Sequence, residues 1–148
     1  MESRVLLVLA VLALAAVAGL VWRARNGRFV ASSPGSAGSP GAVLTAAELG
    51  APLGGRATFV QLSSEVCAPC RSTAAVLGTL AGEHPGVAHV ELPAEQRLDL
   101  VRRFDVLRTP TVLVLDGAGV VRGRFSGATT RAQALDALER CPGAVAAR

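Results

Sequence analysis

The sequence predicts an α/β domain, a mixed sheet flanked by helices, preceded by one N-terminal transmembrane helix. Three observations predict it. Beyond residue 43, apolar segments of strand length alternate with segments of helical period. An 18-residue run from Val5 to Trp22 carries no charged side chain. Between the two lies a stretch rich in Gly, Ser and Pro, Ala31 to Gly41, that keeps no apolar period. The expected organisation is an anchor with a basic collar over residues 1–30, a flexible linker over 31–42 and a globular domain over 43–148.

The apolar run would reach about 27 Å as a helix, close to the hydrocarbon thickness of a bilayer. Trp22 and the arginines at 23, 25 and 28 suit the interface beyond it. A cleaved signal peptide is the alternative, since Ala16-Val17-Ala18 ahead of Gly19 resembles a small-residue cleavage site. The arginine excess after the run favours a cytoplasmic domain on a single-pass cell-membrane anchor. The exchange chemistry argued below is often exported, which favours the opposite side.

Composition narrows the function classes. Apolar residues make up 51% of the chain, enough for a core and too many for wholesale disorder. All 15 basic residues are arginine, so Schiff-base and phosphate-loop lysine chemistry is excluded. From residue 43 onward 11 arginines meet 10 acids, so the basic excess belongs to the membrane segment. With one tryptophan, four phenylalanines and no tyrosine, a nucleic-acid stacking platform is not expected.

Within the domain, Thr45-Ala46-Ala47-Glu48 is a capping-box pattern for a short helix stopped at Gly50. Ala57 to Leu62 is a β-type run. Cys70 to Ala81 is helical, with Ala74, Leu77 and Ala81 on one face and Leu80 beside them. Val87 to Leu92 reads as a strand, and Glu95 to Phe104 as a long helix presenting Leu98, Val101 and Phe104. Thr111 to Leu115 is apolar throughout its interior, as a central strand covered on both faces would be. Asp116 to Gly119 is turn chemistry, after which Val121, Gly123 and Phe125 alternate with Arg122 and Arg124. Thr130 to Arg140 is a closing helix with its own capping box and a stop at Pro142-Gly143.

Cys67-Ala68-Pro69-Cys70 is the strong motif. It lies between a strand and a helix, so Cys67 meets the unpaired N–H groups and dipole of a helix N-terminus, which stabilise a thiolate. Cys70 falls one turn in on the same side, within disulfide reach. Pro69 suits a first turn where no N–H partner is needed. An exposed thiolate that attacks a disulfide, with a second thiol to resolve the mixed disulfide, needs this spacing. Arg108-Thr109-Pro110-Thr111 is the second piece. A Pro ahead of a central strand is explained by a cis Thr109–Pro110 bond or equally by a trans bond in a plain loop.

Together these residues resemble the thioredoxin family over roughly Val43 to Arg140. The resemblance rests on the strand leading to Cys67-Ala68-Pro69-Cys70 and on Phe104 to Thr111, which is similar to the family's approach to its cis-proline. The hairpin and Gly127 fit as well. It implies a cis-proline packed against the dithiol and thiol–disulfide exchange on protein substrates, with Cys67 as nucleophile and Cys70 as resolver. It also implies that Thr109 pairs backbone to backbone with substrate. No cofactor beyond the Cys67–Cys70 disulfide is expected, and the partners would be protein thiols or disulfides and an electron donor or acceptor.

Four positions depart from the family, one of them Ala68, which stands where thioredoxins proper have glycine. Val66 stands where a tryptophan often precedes the first cysteine. Gln61 stands where thioredoxins bury a proton-relaying Asp, and His89 where a lysine often accompanies it. An amide cannot titrate, so resolution would fall to water or to His89. His89 has a bland reading too, as a strand residue facing solvent. These departures keep open a redox-inactive binding module of the same fold. Zinc on Cys67, Cys70 and Cys141 with His84 or His89 is disfavoured because no second paired knuckle exists, so no metal is expected. Cys141 reads as a spectator thiol and His84 as a loop residue.

Overall fold

The computed structural model describes residues 2–25, 29–31 and 41–141 of the chain. Helix α1 (Glu2–Arg25) has every described side chain from residue 4 to 21 exposed. By length and composition it is long and apolar enough to cross a membrane.

The remaining residues build a five-stranded sheet in the order β1-β5-β4-β2-β3. β2 (Ala57–Ser63) and β4 (Thr111–Asp116) are central, and every residue in both is buried, as their apolar runs predict. β3 (Val87–Pro93) lies parallel to β2, while β4 and β5 (Val121–Ser126) run antiparallel to their neighbours. A crossover helix, α3 (Ala68–Glu83), links the parallel pair. The mixed sheet expected from the alternating pattern is thus present.

Alternation along the strands sorts the core into two layers. Phe59, Val112, Val114 and Phe125 face Leu77 and Leu80 of α3 and Ala134, Ala137 and Leu138 of α5 (Arg131–Arg140). Val60, Leu62, Leu113 and Leu115 face Leu49 of α2 (Ala46–Leu49) and Leu100 of α4 (Leu98–Arg103). A register shift between Val114 and Leu115 sends Val121 into this second layer while Phe125 stays in the first. Both capping boxes form as read, Thr45 with Glu48 and Thr130 with Gln133.

Two expectations change. The helix expected over Glu95 to Phe104 is broken: Ala94–Gln96 forms a 3-10 turn and α4 begins only at Leu98. Arg97, at φ −126° and ψ 49°, is outside helical geometry, and the buried positions are Leu100 and Phe104, four apart, while Leu98 is exposed. The second change concerns residues placed by the sequence reading in the collar and linker. Phe29–Ala31 is a strand, β1, paired antiparallel to β5 with Phe29 opposite Phe125 and Ala31 opposite Gly123. A Cβ on Gly123 would come within 2.2 Å of the Phe29 ring and 2.8 Å of the Val30 carbonyl oxygen, so glycine makes room for the strand. The Phe29 and Phe125 rings meet at 5.3 Å. Most of the expected linker and the stop at Pro142-Gly143 lie outside the described residues.

At the end of the sheet away from the cysteine motif, Asp116 holds the β4–β5 turn. Its Oδ1 accepts from the Ala118 and Val120 N–H groups at 2.9 and 3.0 Å, and its Oδ2 accepts from Arg122 Nε at 2.7 Å. Burial alone would raise this carboxyl, but the hydrogen bonds outweigh it and hold it below its ordinary range. A depressed folded-state value contributes stability above the unfolded value, lost as pH falls through the folded one. Asp116→Asn should therefore cost about 1–3 kcal/mol at neutral pH and flatten the acid limb of the stability profile. Urea unfolding followed by circular dichroism at pH 7 and pH 3 checks this.

Candidate active site: the Cys67–Cys70 dithiol

Cys67 sits where β2 hands over to α3. Its extended backbone, φ −137° and ψ 96°, makes it the N-cap residue of α3. The Cys67 sulfur accepts the Cys70 N–H at 3.1 Å, so a helix donor points at the atom that would carry the thiolate charge. Pro69 occupies the first turn and Ala68 opens the helix. Cys67 and Cys70 are joined as a disulfide. Both residues are buried, and Cys67, 8% exposed against 2% for Cys70, is the more accessible of the two.

The Thr109–Pro110 bond is cis, which decides between the two sequence readings. Pro110 is buried, and its carbonyl accepts the N–H of Gly127 at 2.8 Å. Gly127 stands at φ +101°, a conformation that favours glycine. Arg124 braces the approaching loop through the Phe104 carbonyl at 2.6 Å. Thr109 meets the dithiol through its side chain: Oγ1 donates to Cys67 Sγ at 3.9 Å and contacts Ser64 Oγ at 3.1 Å.

Gln61 lies beneath Cys70 and is fully buried. Its Nε2 donates to the Cys70 carbonyl at 2.9 Å, to Ser63 Oγ at 2.8 Å and to Glu91 Oε1 at 3.2 Å. A carbonyl and a carboxylate only accept, so the amide nitrogen must face them and its oxygen faces His89 Nε2 at 3.3 Å. His89 must then donate through Nε2. Burial depresses its basicity, with Glu91 opposing, which favours the neutral Nε2–H ring at neutral pH. His89 is half-buried and joined to the site through Gln61, so the solvent-facing alternative does not hold.

Sequence reasoning missed the carboxylate. Glu91 stands opposite Gln61 in the parallel β2–β3 register, and Ser63 Oγ donates to its Oε1 at 2.6 Å. The available signal was the two-residue spacing of His89 and Glu91, which puts both on the face that carries Gln61. Ser63, Cys70, Arg71, Glu91 and Pro93 line a cleft of about 360 Å³, roomy enough for water between thiol and carboxylate. Val66 and Leu107, flanking the two motifs, are exposed at 97% and 84%. Cys141 is buried in the α3–α5 layer, where burial pushes its thiol up and the charges of Asp116, Arg122 and Arg56 act on it. It is thereby placed toward the far end of the sheet from the dithiol. His84 caps the end of α3.

No protein-family model matches the chain. Thioredoxin H5 of Oryza sativa subsp. japonica is 28% identical over 61 residues, which are 41% of this chain and 45% of that protein. The chain thus spans less than half the length of the curated relative it matches. A thioredoxin of Fasciola hepatica superposes with a TM-score of 0.52 at 27% identity, covering 60% of this chain and 84% of its own. The domain has the thioredoxin fold, and these likenesses support a thioredoxin-family assignment. The thioredoxin NaTrxh of Nicotiana alata, at 21% identity and TM-score 0.51 over 59% of this chain and 74% of its own, shares the fold.

In this thioredoxin-fold domain Cys67 should be the sulfur that reagents reach. Limiting iodoacetamide on the reduced chain should label Cys67 ahead of Cys70, read by peptide mass. Thr109→Val removes an O–H donor to that sulfur, and the labelling rate at pH 7 should fall several-fold, roughly the worth of one weak hydrogen bond. Preferential labelling of Cys70 contradicts the assignment.

Proposed function

We propose that the chain is a membrane-anchored thiol–disulfide oxidoreductase of the protein-disulfide reductase type. The observation that carries the reading is the Cys67–Cys70 pair at the N-terminus of α3, beside a cis Thr109–Pro110 bond. In the reductive direction the Cys67 thiolate attacks one sulfur of a substrate disulfide. A mixed disulfide forms and the other substrate sulfur leaves as thiolate. Cys70 then loses its proton and attacks Cys67 Sγ. The Cys67–Cys70 disulfide forms, the second substrate thiolate leaves, and two electrons have passed to the substrate. A dithiol donor returns the pair to its reduced state.

The Cys70 N–H and Thr109 hydroxyl stabilise the attacking thiolate and the leaving form of Cys67. Substrate backbone would pair beside Thr109 and Pro110, with Val66 and Leu107 offering apolar contact. Glu91 supplies what Gln61 cannot. Its carboxylate takes the Cys70 proton through Ser63 or a water in the cleft, while Gln61 holds the Cys70 carbonyl and the carboxylate together. On the arginine count the domain works on the cytoplasmic side, where thiols are kept reduced.

Supplied with dithiothreitol, the full chain should reduce insulin disulfides, and Cys67→Ser should abolish the reaction. An unchanged rate in Cys67→Ser overturns the proposal. Glu91→Gln should slow single-turnover release of a substrate held on Cys67, by on the order of 100-fold if the carboxylate is the sole acceptor. Alkylation of Cys67 in that variant should be unaltered, which separates proton transfer from general damage to the site.

A further inference from the structure

The strand β1 sets where the dithiol can go. Its first residue, Phe29, is opposite Phe125, which is opposite Val112, which is opposite Gln61. This row crosses the sheet at the dithiol end, because Gln61 holds the Cys70 carbonyl and Thr111 follows the cis-proline. The chain therefore enters the sheet at the pole that carries Cys67, not at the pole of the Asp116 turn. Only three residues separate Arg25, the end of α1, from Phe29. Those four chain steps reach no more than about 14 Å. Three inter-strand spacings, about 14 Å, then lead from Phe29 to Gln61. The Gly/Ser/Pro stretch follows β1 in the chain, so it adds nothing to the distance between α1 and the sheet.

We infer that the dithiol pole of the domain is held against the bilayer surface and that its substrates are disulfides of other membrane-anchored chains, close to the headgroups. The inference rests on the proposed membrane anchor. A tether running from Arg25 to residue 43 would let a domain of this size turn any face to the membrane. The docked β1 does not. The opposite pole lies about 20 Å further out, the length of β2. A disulfide on a partner's distant lobe would need that pole, and the cysteines are not there. The exposed Val66 and Leu107 lie on the membrane-side pole, where a juxtamembrane segment would meet them. Docking depends on the Phe29 ring filling the space above Gly123, so it can be undone away from the cysteines.

The test uses the full chain in vesicles whose lipids carry a fluorescence quencher on the headgroup. One dye is placed on Cys67 in a Cys70→Ser, Cys141→Ser background. The other is placed at the far turn with Ala118→Cys, in a background also lacking Cys67. The Cys67 dye should be quenched several-fold more than the Ala118→Cys dye. Twenty Gly/Ser residues inserted after Asn26, or Gly123→Val to displace β1, should erase the difference. In parallel, with Cys67 and Cys70 intact, the chain should react about tenfold faster with a lipid-linked disulfide peptide on a short spacer than with the same peptide in solution. The insertion should leave the rate with the soluble peptide unchanged. Equal quenching of the two dyes in a chain that pellets with the vesicles overturns the inference alone. A chain that stays in the supernatant overturns the anchor and the inference with it.

Discussion

The hydrogen bond from the Cys70 N–H to the Cys67 sulfur organises the site. It exists because β2 ends in an extended Cys67 and α3 begins at Ala68, so the cysteine side chain takes the place usually held by a Ser or Asp cap. A cap must accept. A thiolate accepts better than a thiol, so the same contact that starts the helix favours the reactive form. Pro69 fits because its position has no helical partner to lose, and Cys70 falls one turn in, where its sulfur meets that of Cys67. Under the proposed function, folding of the β2–α3 junction and activation of Cys67 are one arrangement.

The rest of the sheet serves that junction. β4 starts with the cis-proline beside Cys67, and Gly127 and Arg124 hold the loop that leads to it. β3 contributes His89 and Glu91 on either side of the Gln61 amide. A buried amide left without partners would cost about 1–3 kcal/mol, and here both ends of it are engaged. With an amide at Gln61, the charge beside the dithiol belongs to Glu91, at the rim of a cleft. There it is hydrated more readily and still touches the same network.

Much of this was legible in the sequence, and the reason differs by element. β2 and β4 are short apolar runs bounded by turn residues, and α2 and α5 carry capping boxes, so local chemistry declares them. The dithiol is legible because two cysteines at that spacing, between a strand and a helix, have one main use. Glu91 is not, because its role comes from the parallel register that sets it opposite Gln61. β1 is three residues beside an arginine cluster, and it is a strand only because β5 offers Gly123 as a place for Phe29. The break at Arg97 hides behind Leu98, Val101 and Phe104, whose spacing of three also suits a longer helix, while burial selects Leu100 and Phe104. In each case the deciding partner is far away in sequence.

The central claim is that Cys67 makes the covalent bond to substrate and Cys70 breaks it. The most direct test is a trap. A Cys70→Ser chain, reduced and mixed with a disulfide-bonded peptide, should accumulate a one-to-one mixed disulfide. Peptide mass mapping should place it on Cys67 alone. No adduct, or an adduct on Cys141, would contradict the account.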